Sequence, residues 1–226
     1  MNARNLLNSR SFLSAAISAV LFAGAPAMAA DGSNRSFEIY GFAQADYIQD
    51  ISGRLDPDWD DAFRPSKICF DGACGEDGQA SISVKQSRFG VKGTMPTGSL
   101  NTPLDFKFEF DLFGTGADAG QTTFRLRHAY GEWGSILAGQ TNSLFMDGDV
   151  FPNTIDYWGP SGMVFLRNPQ IRWTPIKGDS TFAVAIENPG NDIDSGQYRE
   201  VADFPGAQGD QELPDLTAQY RAKGDW

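Results

Sequence analysis

The chain has 226 residues with 29 acidic and 18 basic side chains, a formal net charge of −11, and this balance argues against a nucleic-acid partner. Mean hydropathy is negative although 12% of the residues are aromatic, and 25 Gly and 12 Pro accompany them. That mixture fits many short strands joined by turns, and a barrel with a wet interior needs only its outer face to be apolar.

At the N-terminus Arg4 and Arg10 precede an apolar run over residues 12–24, and Ala27-Met28-Ala29 supplies small residues at cleavage spacing. This pattern reads as a secretory signal peptide over residues 1–29, too short to cross a bilayer as a helix. The mature chain then begins near Ala30, and losing two arginines takes its formal charge to −13.

Residues 37–50 alternate, with Ile39, Gly41, Ala43, Ala45 and Tyr47 on one face and Glu38, Tyr40, Gln44 and Asp46 on the other. The small first face suits contact with another subunit as well as it suits a plain strand. Residues 51–78 have no period and carry Cys69 and Cys74, close together in an exported chain. They read as a long loop with a small disulfide. Two thiolates without nearby partners do not make a metal site, and no cofactor motif is present.

Strand character returns over residues 80–94, and Met95-Pro96-Thr97-Gly98 ends it. The clearest element follows at residues 104–112. There Leu104, Phe106, Phe108, Phe110 and Leu112 alternate without a break with Asp105, Lys107, Glu109 and Asp111. A period of two with one apolar and one charged face is a strand, and about nine residues are enough for a tilted strand to cross the hydrocarbon. The glycine-rich stretch after Phe113 lacks the strand, glycines and helix order of a phosphate loop and reads as a hairpin loop.

Over residues 122–133, Phe124, Leu126, His128 and Tyr130 fall on one face, opposite Arg125, Arg127 and Ala129. Strict alternation thus assigns His128, the only histidine, to the apolar face as a packed or interface residue. Residues 135–142 form a short strand. Residues 143–163 do not alternate but are rich in large apolar groups, so they must pack against something. Inside a barrel they would fold into the lumen and narrow it, with Asp147, Asp149 and Asp156 available to oppose arginines across the gap. Residues 165–174, 181–187 and 216–221 complete about eight strands, and residues 190–214 form a second long acidic loop.

The fold class expected is all-β, a transmembrane antiparallel barrel. Three other readings compete. A complete small eight-stranded barrel with a structural or adhesive role would have its interior filled by side chains, leaving no room for the 143–163 segment. A membrane-embedded hydrolase needs a nucleophile and base together, and neither a nucleophile elbow nor a polar-face histidine is present. A soluble periplasmic sandwich would fractionate with the periplasm.

The blocks RFGVKGT from Arg88, FKFEFDLFG from Phe106, FRLRHAYGEWG from Phe124, LAGQTNSLFMD from Leu137, NTIDYWGPSG from Asn153 and FLRNPQIRWTP from Phe165 resemble DcaP-like outer-membrane porins. The resemblance covers essentially residues 40–226. It implies a homotrimer of 16-stranded barrels in outer-membrane lipid, an inward-folded third loop at residues 143–163, and a preference for small anions including dicarboxylates. On that basis the chain is expected to be no enzyme and to span the N-terminal half of a barrel, ending as a fragment would. The pore-lining candidates are Arg88, Lys92, Arg125, Arg127 and Arg172, each on the polar side of its strand.

Overall fold

In the computed structural model of the chain, the alternating stretch around Phe108 is the middle of β5 (Leu100–Gly114), the longest strand of a ten-stranded antiparallel sheet. The others are β1 (Ala15–Leu21), β2 (Ser36–Gln49), β3 (Ala80–Ser83), β4 (Arg88–Thr97), β6 (Thr123–Trp133), β7 (Ile136–Asn142), β8 (Arg167–Ile176), β9 (Ser180–Glu187) and β10 (Asp215–Ala222). The structure describes residues 15–21 (backbone only), 35–49, 51, 78, 80–97, 100–114, 123–151, 164–190 and 212–223. Cys69, Cys74 and Asp156 lie outside the described residues, as do the glycine-rich stretch after Gly114 and most of the two long acidic loops.

Each strand lies beside its successor in the order β1-β2-β4-β5-β6-β7-β8-β9-β10, with β3 on the far half of β2. Among the described residues the sheet is open, with β1 and β10 as its edges. Connections at one end are two or three residues long (98–99, 134–135, 177–179), whereas those at the other span 50–79, 115–122, 143–166 and 188–214. Short turns at one rim and long loops at the other are the asymmetry of an outer-membrane barrel.

The two faces of the sheet invert the distribution of a soluble protein. Large apolar groups are exposed, among them Phe108, Phe124, Trp173, Ile186 and Leu216, the last at 81%. Glu109, Asp111, Arg127, His128, Gln170 and Glu187 are buried, two of them at 2%. Register carries the apolar face across the strands: Val91 pairs Phe108, Phe108 pairs Ala129, Ile136 pairs Trp173, Ile171 pairs Ile186 and Ile186 pairs Leu216. On that face the Phe110 ring stands edge-on to Phe124, with centroids 4.7 Å apart. An apolar exterior and a polar, internally hydrogen-bonded interior are what lipid outside and water inside require.

Local chemistry explains several boundaries. The strand expected over residues 80–94 is two, because Val84 to Ser87 leave the ladder. Ser87 repairs the gap: its hydroxyl accepts from the Gln44 N–H at 2.9 Å and donates to the Gln44 carbonyl at 3.2 Å. Residues 95–98, expected to end the strand, do not: β4 runs on to Thr97, and Thr97 pairs Leu100 in a tight hairpin. Pro96, which has no N–H to give the ladder, sits at the irregularity between Met95 and Thr97. At the β6–β7 hairpin Gly134 has φ +60, the left-handed conformation that a two-residue turn demands.

Residues 15–21, which the sequence places inside the targeting segment, form β1 along β2, with Ala15 opposite Gln49 and Leu21 opposite Ala43. This run caps the row of N–H and C=O groups on the edge of β2, which lipid could not satisfy.

Candidate functional site

The inner face concentrates charge where β4, β5 and β6 meet. β5 presents Lys107, Glu109, Asp111 and, beyond them, Phe113; β4 presents Arg88 and Lys92, in register with Asp111 and Lys107. β6 departs from simple alternation. Glu109 pairs His128 but Phe110 pairs Leu126, so Arg127 is an extra residue in a bulge. The bulge shifts parity midway along the strand. Phe124 and Leu126 face outward as the pattern requires, but His128 and Tyr130 turn inward. The assignment of His128 to the apolar face is therefore corrected: it is buried on the inner face, its Nδ1 3.0 Å from the Thr141 hydroxyl and its Nε2 3.9 Å from Glu109.

Two carboxylates organise the cluster. Asp111 accepts both arms of Arg125, Nε at 2.9 Å and Nη2 at 2.7 Å, together with Arg127 Nη1 at 2.8 Å and the Phe113 N–H at 3.1 Å. Glu109 accepts Arg127 Nε and the Tyr40 hydroxyl, both at 2.7 Å, and lies 3.3 Å from Lys107 Nζ. Arg127 thus bridges both acids, and these hydrogen bonds stitch β2, β5 and β6 together within the wall. The two acids and two arginines balance in the bonded core, whose in-plane hydrogen bonds leave the guanidinium faces open to other contacts.

Those faces rest on aromatic rings. The Arg88 guanidinium lies 5.5 Å from the Phe42 centroid, Arg125 5.0 Å from Phe113, and Arg167 4.7 Å from Phe165. Stacking holds a guanidinium in place without consuming its edge donors. Beside them opens a small recess lined by Arg88, Arg125, Arg127, Asp111, Phe113 and Phe165, with Gln86 at its side. Three arginines and one carboxylate face one space, so its local charge is positive although the chain is acidic.

Not every candidate joins this recess. Lys92 pairs Glu38 at 3.2 Å and lies over the Tyr40 ring at 5.3 Å. Arg172 is held along the wall, its Nε on Gln170 at 3.0 Å and its Nη2 on the Asn142 carbonyl at 2.6 Å. Asp147 and Asp149 do not meet the wall arginines of β4 and β6; both bind Arg221 of β10. Two participants escaped the sequence reading. Arg167 has the parity of outward-facing Pro169 and Ile171, yet it lies within electrostatic reach of Arg127, Arg125, Asp111 and Arg88. Arg221 could have been found, since it alternates with Gln219 and Thr217 opposite Leu216, Ala218 and Tyr220.

Among the described residues no three His, Cys, Asp or Glu side chains converge as a metal site, and no helix is long and apolar enough to cross a membrane. The strands do the crossing, and a meander with an apolar exterior and an arginine-bearing interior is the wall of a porin-type transmembrane β-barrel. The chain belongs to the DcaP outer membrane protein family, whose model matches residues 17–223. Among solved structures it is similar to the outer membrane channel DcaP of Acinetobacter baumannii, with 27% identity and a TM-score of 0.63 over 84% of this chain. The chain spans 49% of the length of that channel. No curated protein sequence matches it.

Proposed function

We propose that the chain forms the wall of an outer-membrane diffusion channel for small anions, dicarboxylates among them, and that Arg88, Arg125 and Arg127 carry the preference. The observation that supports this most directly is the recess lined by three arginines and one carboxylate. Guanidinium forks match carboxylate geometry and stay charged, so two of them side by side offer a dicarboxylate successive partners as it sheds water. The segment from Ser143 onward, folded against the inner face, narrows the lumen.

In the same reading, residues 1–29 direct export and are removed, which exposes the β2 edge that β1 covers and frees it for another strand of the barrel. The outward Gly41, Ala43 and Ala45 let a second subunit approach closely, as a trimer requires. Neither a cofactor nor a nucleic acid takes part.

The test is the reversal potential of the protein, extracted from outer membranes and placed in planar bilayers, across a KCl gradient. Anion preference that moves toward cations with Arg125→Glu or Arg127→Glu is the expected result. Cation preference in the unmutated protein, or no movement on charge reversal, rejects it.

A further inference from the structure

The first turn beyond β7 is tied to the last two strands by a row of contacts on their inner face. Leu144 packs on Ala183 and Ala185, all three buried, so two small residues of β9 make its seat. Its N–H donates to Glu187 Oε1 at 3.0 Å, and the Thr217 hydroxyl donates to the same oxygen at 2.6 Å. Gln219 Nε2 donates to the Leu144 carbonyl at 2.9 Å and reaches the Met146 carbonyl at 3.5 Å. Beyond these, Arg221 Nη1 holds Asp149 at 2.5 Å and Nη2 holds Asp147. Thr217, Gln219 and Arg221 are successive inward residues of β10, so one strand presents two direct grips in line, Gln219 and Arg221, with Thr217 bracing Glu187 beside them.

The segment is shaped to be held. Asp147 caps a 3-10 turn, Gly148–Val150, by accepting the Asp149 N–H at 3.0 Å, which points both carboxylates toward one guanidinium. An exposed ion pair on a flexible tether contributes little. A planar fork between two carboxylates already fixed by a capped turn loses less entropy on binding and defines a direction. Val150 is exposed beyond this point, and Phe151 turns to stack on Phe165 with centroids 5.9 Å apart.

We propose that Arg221 is a positioning residue of the channel: with Gln219 and Glu187 it forms a clasp that fixes residues 144–149 along the inner face of β9 and β10, and thereby limits the bore. This rests on the channel reading above. The clasp also ties up Asp147 and Asp149, two acids that would otherwise stand unpaired on the inner face.

The experiment uses the protein from outer membranes and two readouts. In a Cys69→Ser, Cys74→Ser background, Met146→Cys reports release of the segment, because Met146 is buried at 6%. Arg221→Ala is expected to speed its labelling by a water-soluble maleimide about tenfold or more, the signature of local opening, and to raise single-channel conductance with added current flicker. Arg221→Lys, which keeps the charge but not the fork, should label at an intermediate rate. If Arg221→Ala does not fold, Asp147→Asn with Asp149→Asn removes both ion pairs from the loop side while keeping the cap, and must also speed labelling. Unchanged labelling and conductance in folded variants overturns the clasp. An unmutated protein that conducts nothing overturns the channel reading alone, and the labelling contrast still decides the clasp.

Discussion

Arg125 grips Asp111 with both arms of its guanidinium, Nε to Oδ1 at 2.9 Å and Nη2 to Oδ2 at 2.7 Å, across the β5–β6 ladder on the inner face. The pair is in register, Asp111 opposite Arg125, so geometry is set by the backbone before the side chains meet. A bidentate pair of this kind is among the stronger charge-assisted contacts. It also cancels part of the field that Arg125 would exert on a passing anion.

Asp111→Asn should therefore increase anion preference while Arg125→Glu reverses it. One charge acting through wet surroundings at about 4 Å is worth about 1 kcal/mol, which is a factor of about 5 in permeability ratio before screening reduces it. Bi-ionic reversal potentials measure it. Equal, same-direction shifts in both variants contradict the assignment.

Phe108 faces outward from mid-β5, half exposed and paired with Val91 and Ala129. Phe108→Lys should lower stability in lipid by about 2 to 4 kcal/mol if the residue lies at the bilayer midplane. Lys107→Phe loses the contact with Glu109 but places no charge in lipid, and should cost distinctly less. Denaturant titration in bilayers compares the two, and equal costs mean the facing is wrong.

Gly90 leaves room for the Tyr40 ring: a Cβ there would stand 2.4 Å from Tyr40 Cζ and 2.6 Å from its hydroxyl. Gly90→Ala must push Tyr40 off Glu109, at a cost of about 1 to 3 kcal/mol. Tyr40→Phe in the Gly90→Ala background should add less than it does alone, because the hydroxyl contact is already lost. Full additivity in a double-mutant unfolding cycle would show that Tyr40 stays on Glu109.

Ser87→Ala removes the hydroxyl that replaces the ladder between β2 and the β3–β4 break. Leaving the Gln44 N–H and carbonyl without that partner should cost about 1 to 3 kcal/mol. Hydrogen exchange at the Gln44 amide should accelerate selectively, and protection at its wild-type level would mean that water or a shifted backbone takes over.

Alternation alone was enough to place the strands of β2, β5 and β9 and to separate the two sides of each, because side chains on a strand can only point two ways. The outward face of Phe106, Phe108 and Phe110 and the inward face of Lys107, Glu109 and Asp111 followed from order in the chain, and so did the inward direction of Arg88, Arg125 and Arg172. Tertiary structure decided what pairing decides. The extra residue at Arg127 turns His128 and Tyr130 inward, and no period in one strand can reveal a bulge defined by its neighbour's count. The strand end at Arg167 escapes the parity rule because its side chain bends over Phe165 into the arginine group. Likewise Arg221 meets Asp147 and Asp149 from more than seventy residues away. Periodicity is local, whereas partner choice depends on which strands the sheet brings together.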